Sequence, residues 1–118
     1  MNTQEIATDL VTLCKQGQFA QAGEKHWADD VVSVEASGDN AESRGKAAAR
    51  AKGEWWSKTH EAHKVDIEGP YVNGDEFAVH FVMDVTDKES GQRMTMDEVG
   101  LYKVRNGKIA EERFFYSA

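Results

Sequence analysis

Ile6, Leu10, Leu13 and Cys14 recur at the three- and four-residue intervals of one helix face, which predicts an amphipathic helix over residues 3–16. Thr3 is placed to cap it and Gly17 to end it. A short second helix is expected from Phe19 to about Trp27, with Phe19, Ala22, Gly23 and Trp27 turned inward. Asp29-Asp30 then turns the chain into a strand over Val31–Ala36. Alternation puts Val31, Ser33 and Glu35 on one face of it, and Val32, Val34 and Ala36 on the other. Residues 37–44 are small, polar and loop-like, whereas Gly45 to about His60 is rich in the helix formers Ala, Lys, Arg and Glu. Ala47, Ala48, Ala51 and Trp55 are its expected apolar stripe. Trp55 and Trp56 point about 100° apart, so one can pack in the core while the other lines a cleft or an interface.

From Lys64 onward the period is that of strands. Lys64–Val72 carries Pro70, which suggests an edge or a bulge. Asn73-Gly74, Ser90-Gly91 and Asn106-Gly107 are turn signals separating strands at about 77–87, 93–104 and 108–116. The predicted class is α+β: three helices on one face of a curved sheet whose main part is a four-stranded antiparallel meander.

Phe77–Val85 stands out because it is almost all apolar, which is the pattern of a strand covered on both faces. One face carries Phe77, Val79, Phe81, Met83 and Val85; the other carries Ala78, His80, Val82 and Asp84. Two ionisable groups on one face of a central strand must be paired, neutralised or wetted. They therefore mark either a ligand pocket or a hydrogen-bonded core His with a strand-end Asp near water.

Composition narrows the function. A chain of 118 residues is enough for one domain, 1–118, with its own core. Its 21 acidic against 14 basic residues give a net charge of −7, the wrong sign for a nucleic-acid partner. No apolar run approaches the roughly 20 residues needed to span a bilayer, and the first residues lack a signal-peptide pattern, so a cytoplasmic location is expected. Cys14 is the lone cysteine and is read as a buried core residue. His60 and His63 are read as exposed residues between helix and strand. No metal-ligand spacing or phosphate-binding glycine loop is visible, so no metal or cofactor is expected.

The order helix, short helix, short strand, long helix and meander resembles the nuclear transport factor 2-like superfamily, which includes ketosteroid isomerases and SnoaL-type polyketide cyclases. Trp27-Ala28-Asp29-Asp30-Val31-Val32-Ser33-Val34-Glu35 is similar to the start of the first strand in the isomerases, and Arg44-Gly45 and Asn106-Gly107-Lys108-Ile109 also fit. The resemblance implies a cone of helices and curled sheet around an apolar pocket. It places Glu35 where the isomerases carry their proton-shuttling carboxylate. Their oxyanion-hole Tyr and Asp fall on Leu10 and Gly100, neither of which has a polar side chain, so steroid isomerisation is not expected.

It also implies that His80, Val82 and Asp84 face the interior with Met96, Glu98, Glu112, Phe114 and Tyr116. Glu35 or Asp84 is then the catalytic base and His80 an acid or orienting group. The binding wall comprises Val82, Met96, Glu98, Glu112, Phe114, Tyr116 and one of Trp55 and Trp56. The function implied is cofactor-independent acid–base chemistry on a small, partly apolar organic molecule: isomerisation, cyclisation, dehydration or hydrolysis. The alternative is a non-catalytic binding or assembly module. A homodimer is expected through the outer sheet face, to which Phe81, Met83, Val85, Val99, Leu101 and Phe115 are assigned.

Overall fold

The computed structural model describes residues 1–38 and 41–117; residues 39 and 40 of the expected 37–44 loop lie outside it. Helix α1 spans Thr3–Lys15 and α2 spans Phe19–His26. Asn2, one residue before the expected Thr3, caps α1. Its side chain accepts from the Glu5 N–H while the Glu5 carboxylate accepts from the Asn2 N–H, so two otherwise unpaired donors are satisfied together. Ile6, Ala7, Leu10, Val11 and Cys14 bury the inner face of α1. In α2, Ala22, Gly23 and His26 are buried, whereas Phe19 lies at the surface.

The strands are β1 (Trp27–Val34), β2 (Glu42–Arg44), β3 (His60–Asn73), β4 (Glu76–Asp87), β5 (Arg93–Arg105) and β6 (Lys108–Phe115), with helix α3 (Lys46–Thr59) before β3. They form one curved, open sheet in the order β2-β1-β6-β5-β4-β3. Strands β3 to β6 make the expected antiparallel meander, and β1 joins it parallel to β6. Pro70 lies in the edge strand β3, beside a register shift between Glu68 and Tyr71, where a missing N–H disturbs no inner ladder. The expected α+β cone is therefore the fold.

Two phases differ from expectation, and both move functional residues. In β4 it is Phe77, Val79, Phe81, Met83 and Val85 that are buried on the inner face, paired in register with β5 residues such as Glu98 and Met96. His80, Val82 and Asp84 point outward. Burying five large apolar side chains is worth about 1.5–3 kcal/mol each, and no gain on the other face competes. The His80 and Asp84 charges instead reach water and surface partners, whose hydrogen bonds outweigh a smaller desolvation cost. Phe81, Met83 and Val85 thus leave the expected outer apolar face, which retains Val99, Leu101 and Phe115 and gains Tyr71.

In α3 the inward stripe is Ala48, Ala49, Lys52 and Trp56, about one residue round from the expected Ala47, Ala48, Ala51 and Trp55. Trp55 is 61% exposed. Trp56 is half-buried and stacks on His60, with ring centroids 4.8 Å apart and planes 4° from parallel. His60 is consequently the half-buried first residue of β3, not an exposed linker residue, while His63 is exposed and meets the Thr86 hydroxyl.

Candidate functional site

Glycine 23 prepares the inner site. A Cβ there would lie 2.6 Å from the Trp27 ring, so its absence lets the indole lie against α2. The Trp27 Nε1–H then donates to Glu112 Oε1 at 2.8 Å. Parallel pairing sets Ser33 of β1 opposite Glu112 of β6, and the Ser33 hydroxyl donates to Glu112 Oε2 at 2.7 Å. The buried Glu112 carboxylate therefore has a fixed donor on each oxygen, the arrangement that allows such a group to stay inside.

The network continues through α3. Lys52 Nζ donates to Ser33 Oγ at 2.5 Å and pairs with Glu35 Oε1 at 2.7 Å. The other Glu35 oxygen accepts from the Tyr116 hydroxyl at 2.9 Å. Lys52 also sits 5.3 Å from the centre of the Phe114 ring, within cation–π range. A continuous chain thus runs Trp27–Glu112–Ser33–Lys52–Glu35–Tyr116 across two strands, β1 and β6, the residues just past their ends, and helix α3. A cleft of about 210 Å³ lined by Glu35, Ala36, Phe114 and Tyr116, with Arg113 and Phe115, lies at its Glu35 end.

Glu98 stands on the same inner face, beside Phe81 in register. Burial, reinforced by the Glu35 charge and opposed by Lys52, pushes its carboxyl up to about 7. The Tyr116 phenol is pushed up to about 12, first by burial and then by its bond to Glu35. The Cys14 thiol, buried as expected, is likewise raised to about 12 by burial and by the Glu112 charge. At Gly100 the Tyr102 ring folds over the bare backbone: a Cβ would meet its Cε2 at 2.9 Å and its hydroxyl at 3.0 Å. That ring stacks on Phe77 with centroids 4.7 Å apart and is fully buried, which raises its phenol.

Of the residues singled out from sequence, Glu35, Met96, Glu98, Glu112, Phe114 and Tyr116 share the inner side, and Trp56 shares the inward stripe of α3 with Lys52. Trp55 does not join them. His80, Asp84 and Val82 form part of a separate outer cluster. There His80 Nε2 lies 2.6 Å from Asp97 Oδ1, and its Nδ1 3.7 Å from Glu68. Asp84 is held by Arg93 through two bonds of 2.8 and 2.9 Å. Hydrogen bonding to Asp97 raises His80 and bonding to Arg93 lowers Asp84. Neither faces Glu35, so the catalytic roles assigned to them lose their geometric basis.

Sequence reasoning missed Lys52, Ser33 and Trp27. Ser33 carried a signal, since it shares a strand face with Glu35. Lys52 carried a weaker one, three residues after Ala49 and four before Trp56. Among the described residues, no group of three His, Cys, Asp or Glu side chains is arranged to hold a metal ion.

The SnoaL-like domain family matches residues 1–116. The chain belongs to this family. A solved structure from Mesorhizobium loti, described as a candidate SnoaL-like polyketide cyclase and carbohydrate phosphatase, is 57% identical. It superposes with a TM-score of 0.95 over 98% of this chain and 100% of its own. Two more distant structures share the fold. One, a candidate SnoaL-like polyketide cyclase from a Jannaschia species, is 19% identical, with a TM-score of 0.75 over 93% of this chain and 86% of its own. The other, from Catenulispora acidiphila, has a ketosteroid isomerase-like fold and was crystallised with trimethylamine. It is 22% identical, with a TM-score of 0.76 over 98% of this chain and 88% of its own. No curated protein matches the chain. Among the described residues no helix is long and apolar enough to cross a membrane.

Proposed function

We propose that this SnoaL-like protein is a cofactor-independent enzyme that moves protons on a small, partly apolar organic molecule bound inside the cone. One observation carries the reading: Glu98 stands on the inner face with Glu35 and Lys52, where burial pushes its carboxyl up to about 7. A carboxyl raised toward neutrality can give or take a proton near the working pH, which is the condition for efficient proton transfer. Glu35 is the complementary base, held between Tyr116 and Lys52, and Trp56, Met96 and Phe114 supply apolar wall. Glu98 takes the acid's role expected of His80. The 57% identical relative's description as a candidate polyketide cyclase fits this chemistry, because ring closure of a polyketide needs a proton removed beside a carbonyl.

A thermal-shift screen of small carbonyl compounds, followed by turnover of any stabilising binder, tests the reading. Glu35→Gln and Glu98→Gln should each lower kcat/KM at least about 100-fold. A stabilising binder that is not turned over would leave the alternative, a cone that binds without catalysis, and unchanged turnover in both variants would remove Glu35 and Glu98 from the chemistry. Residues 1–118 are proposed to act as one domain in the cytoplasm and to pair through the outer sheet face, where Tyr71, Val99 and Phe115 are exposed. Light scattering giving the 13.2 kDa of one chain would exclude that dimer.

A further inference from the structure

We infer that Lys52 is a catalytic residue of this site: its ammonium exchanges Glu35 for the oxygen of a neutral carbonyl substrate as that oxygen becomes an enolate. The inference rests on the proposed proton transfer to Glu35 and names the substrate class that transfer requires.

The geometry starts with helix phase. Lys52 occupies the inward stripe of α3 between Ala49 and Trp56, and its Nζ lies over the Phe114 ring, 5.3 Å from its centre, among inner-face oxygens. Two of its three N–H bonds are used, toward Glu35 Oε1 and Ser33 Oγ. Among the described residues it makes no third hydrogen bond, and Glu35 beside it lines the 210 Å³ cleft. Ser33 is itself fixed by Glu112, which is fixed by Trp27, so the ammonium is aimed by a rigid chain and not by its own flexible stem.

Charge balance then selects the substrate. Glu112 is compensated by two neutral donors, Glu35 is matched by Lys52, and Glu98 carries a proton for part of the time near neutrality. An anionic substrate would add an uncompensated charge to this set. A neutral carbonyl compound would not. When Glu35 takes a proton from the carbon next to that carbonyl, the C–H bond breaks and its electron pair forms a C=C bond. The carbonyl π pair moves onto oxygen. Glu35 loses its negative charge as the substrate oxygen gains one, and both lie within reach of the same ammonium. Lys52 thus has an equal partner before and after the step, and the site's net charge is unchanged. Return of the proton to a different carbon completes an isomerisation and restores the Lys52–Glu35 pair. Fixed positive charge at the developing oxyanion is the largest single source of catalysis in many such sites. It occupies the role left empty by Leu10 and Gly100.

The experiment uses para-nitrophenol, whose phenolate mimics an enolate and absorbs visible light, with para-nitroanisole as its neutral methyl ether. Both are titrated against the whole protein at about pH 8, where the free phenol is mostly ionised. The wild type should bind both. Lys52→Met should weaken the phenolate tenfold or more and leave the ether within about twofold. Glu35→Gln, which frees the ammonium without touching it, should tighten the phenolate about tenfold and leave the ether unchanged. A structural role for Lys52 predicts equal losses for both probes and no gain in Glu35→Gln. Either of those outcomes overturns the assignment. If neither probe binds the wild type, the interior binding site itself is refuted and Lys52 falls with it.

Discussion

The two faces of this one sheet carry nearly the same residue types and use them differently. Outside, Asp97 and Glu68 flank His80 and Asp84 meets Arg93, with Asp97, Glu68 and Arg93 side chains more than 60% exposed. Inside, Glu35, Glu98 and Glu112 surround Lys52, whose side chain is 23% exposed. Outside, water compensates every charge, so the pairs can break without leaving anything stranded. Inside, only fixed donors compensate, and the one carboxyl without them takes up a proton instead. Charge density by itself says little about function. What matters is whether the solvent can do the compensating.

The sharpest way to break this comparison is to truncate both faces of β4. Phe81→Ala should cost about 3–5 kcal/mol of unfolding free energy, the price of a large cavity. Val82→Ala should cost about 0.5 kcal/mol, as a surface change does. Urea titration of the two variants decides it, and equal losses would refute the assignment of faces. Next in size is Glu112→Ala, which leaves the Trp27 N–H and Ser33 O–H as buried donors with no acceptor. A loss of about 2–3 kcal/mol is expected, together with a red-to-blue change in the Trp27 environment visible in fluorescence.

Glu98 gives the third test, and its sign is unusual for a carboxylate. Its folded value, about 7, lies above the free value of 4.5, so the folded state holds a proton that the unfolded state releases. Stability must then fall as pH rises from about 4.5 to about 7 and stay level above that. The penalty is about 2 kcal/mol once solvent at the partly open side is allowed for. Glu98→Gln should abolish this slope and be the more stable protein at about pH 8. A slope that survives in Glu98→Gln would locate the titration elsewhere.

His80 is the smallest effect. Its folded value is raised above the ordinary 6.5, so its contribution is fully present below 6.5 and is lost as pH climbs through the folded value. His80→Gln should flatten only that weak upper limb of the pH–stability curve and leave turnover unchanged. A large loss of activity would return His80 to the site.

Why the meander and helices could be read from sequence while half of the site could not has a physical explanation. Asn73-Gly74 and Asn106-Gly107 specify turns by backbone chemistry alone, so the strands between them follow whatever packs on top. Facing is set by a sum over many side chains. In β4 that sum is legible, with Phe77, Val79, Phe81, Met83 and Val85 on one side and the ionisable His80 and Asp84 on the other. In α3 it was barely legible. Ala contributes little burial energy, and rotating the helix by one residue exchanges Trp55 for Trp56 at small cost. The rotation brings Lys52 inward, and a Lys at an inward position looks like solvent-facing sequence until its partners are known. Ser33 and Glu35 are those partners, and Ser33 is itself held by Glu112, more than seventy residues further along the chain.

Gly100 has a consequence for how this chain can change. A side chain added there strikes the Tyr102 ring first, and displacing that ring breaks its stack on Phe77 at the centre of the core. A single Gly100→Asp step toward an isomerase-like oxyanion hole is therefore penalised before any benefit to catalysis appears. Shrinking Tyr102 first would clear the space, but that step alone opens a cavity. The two replacements are tolerable only together, so the route to an Asp at this position crosses a stability valley at each single-substitution intermediate. The packing of Tyr102 on Phe77 is thus protected by the order in which mutations must arrive.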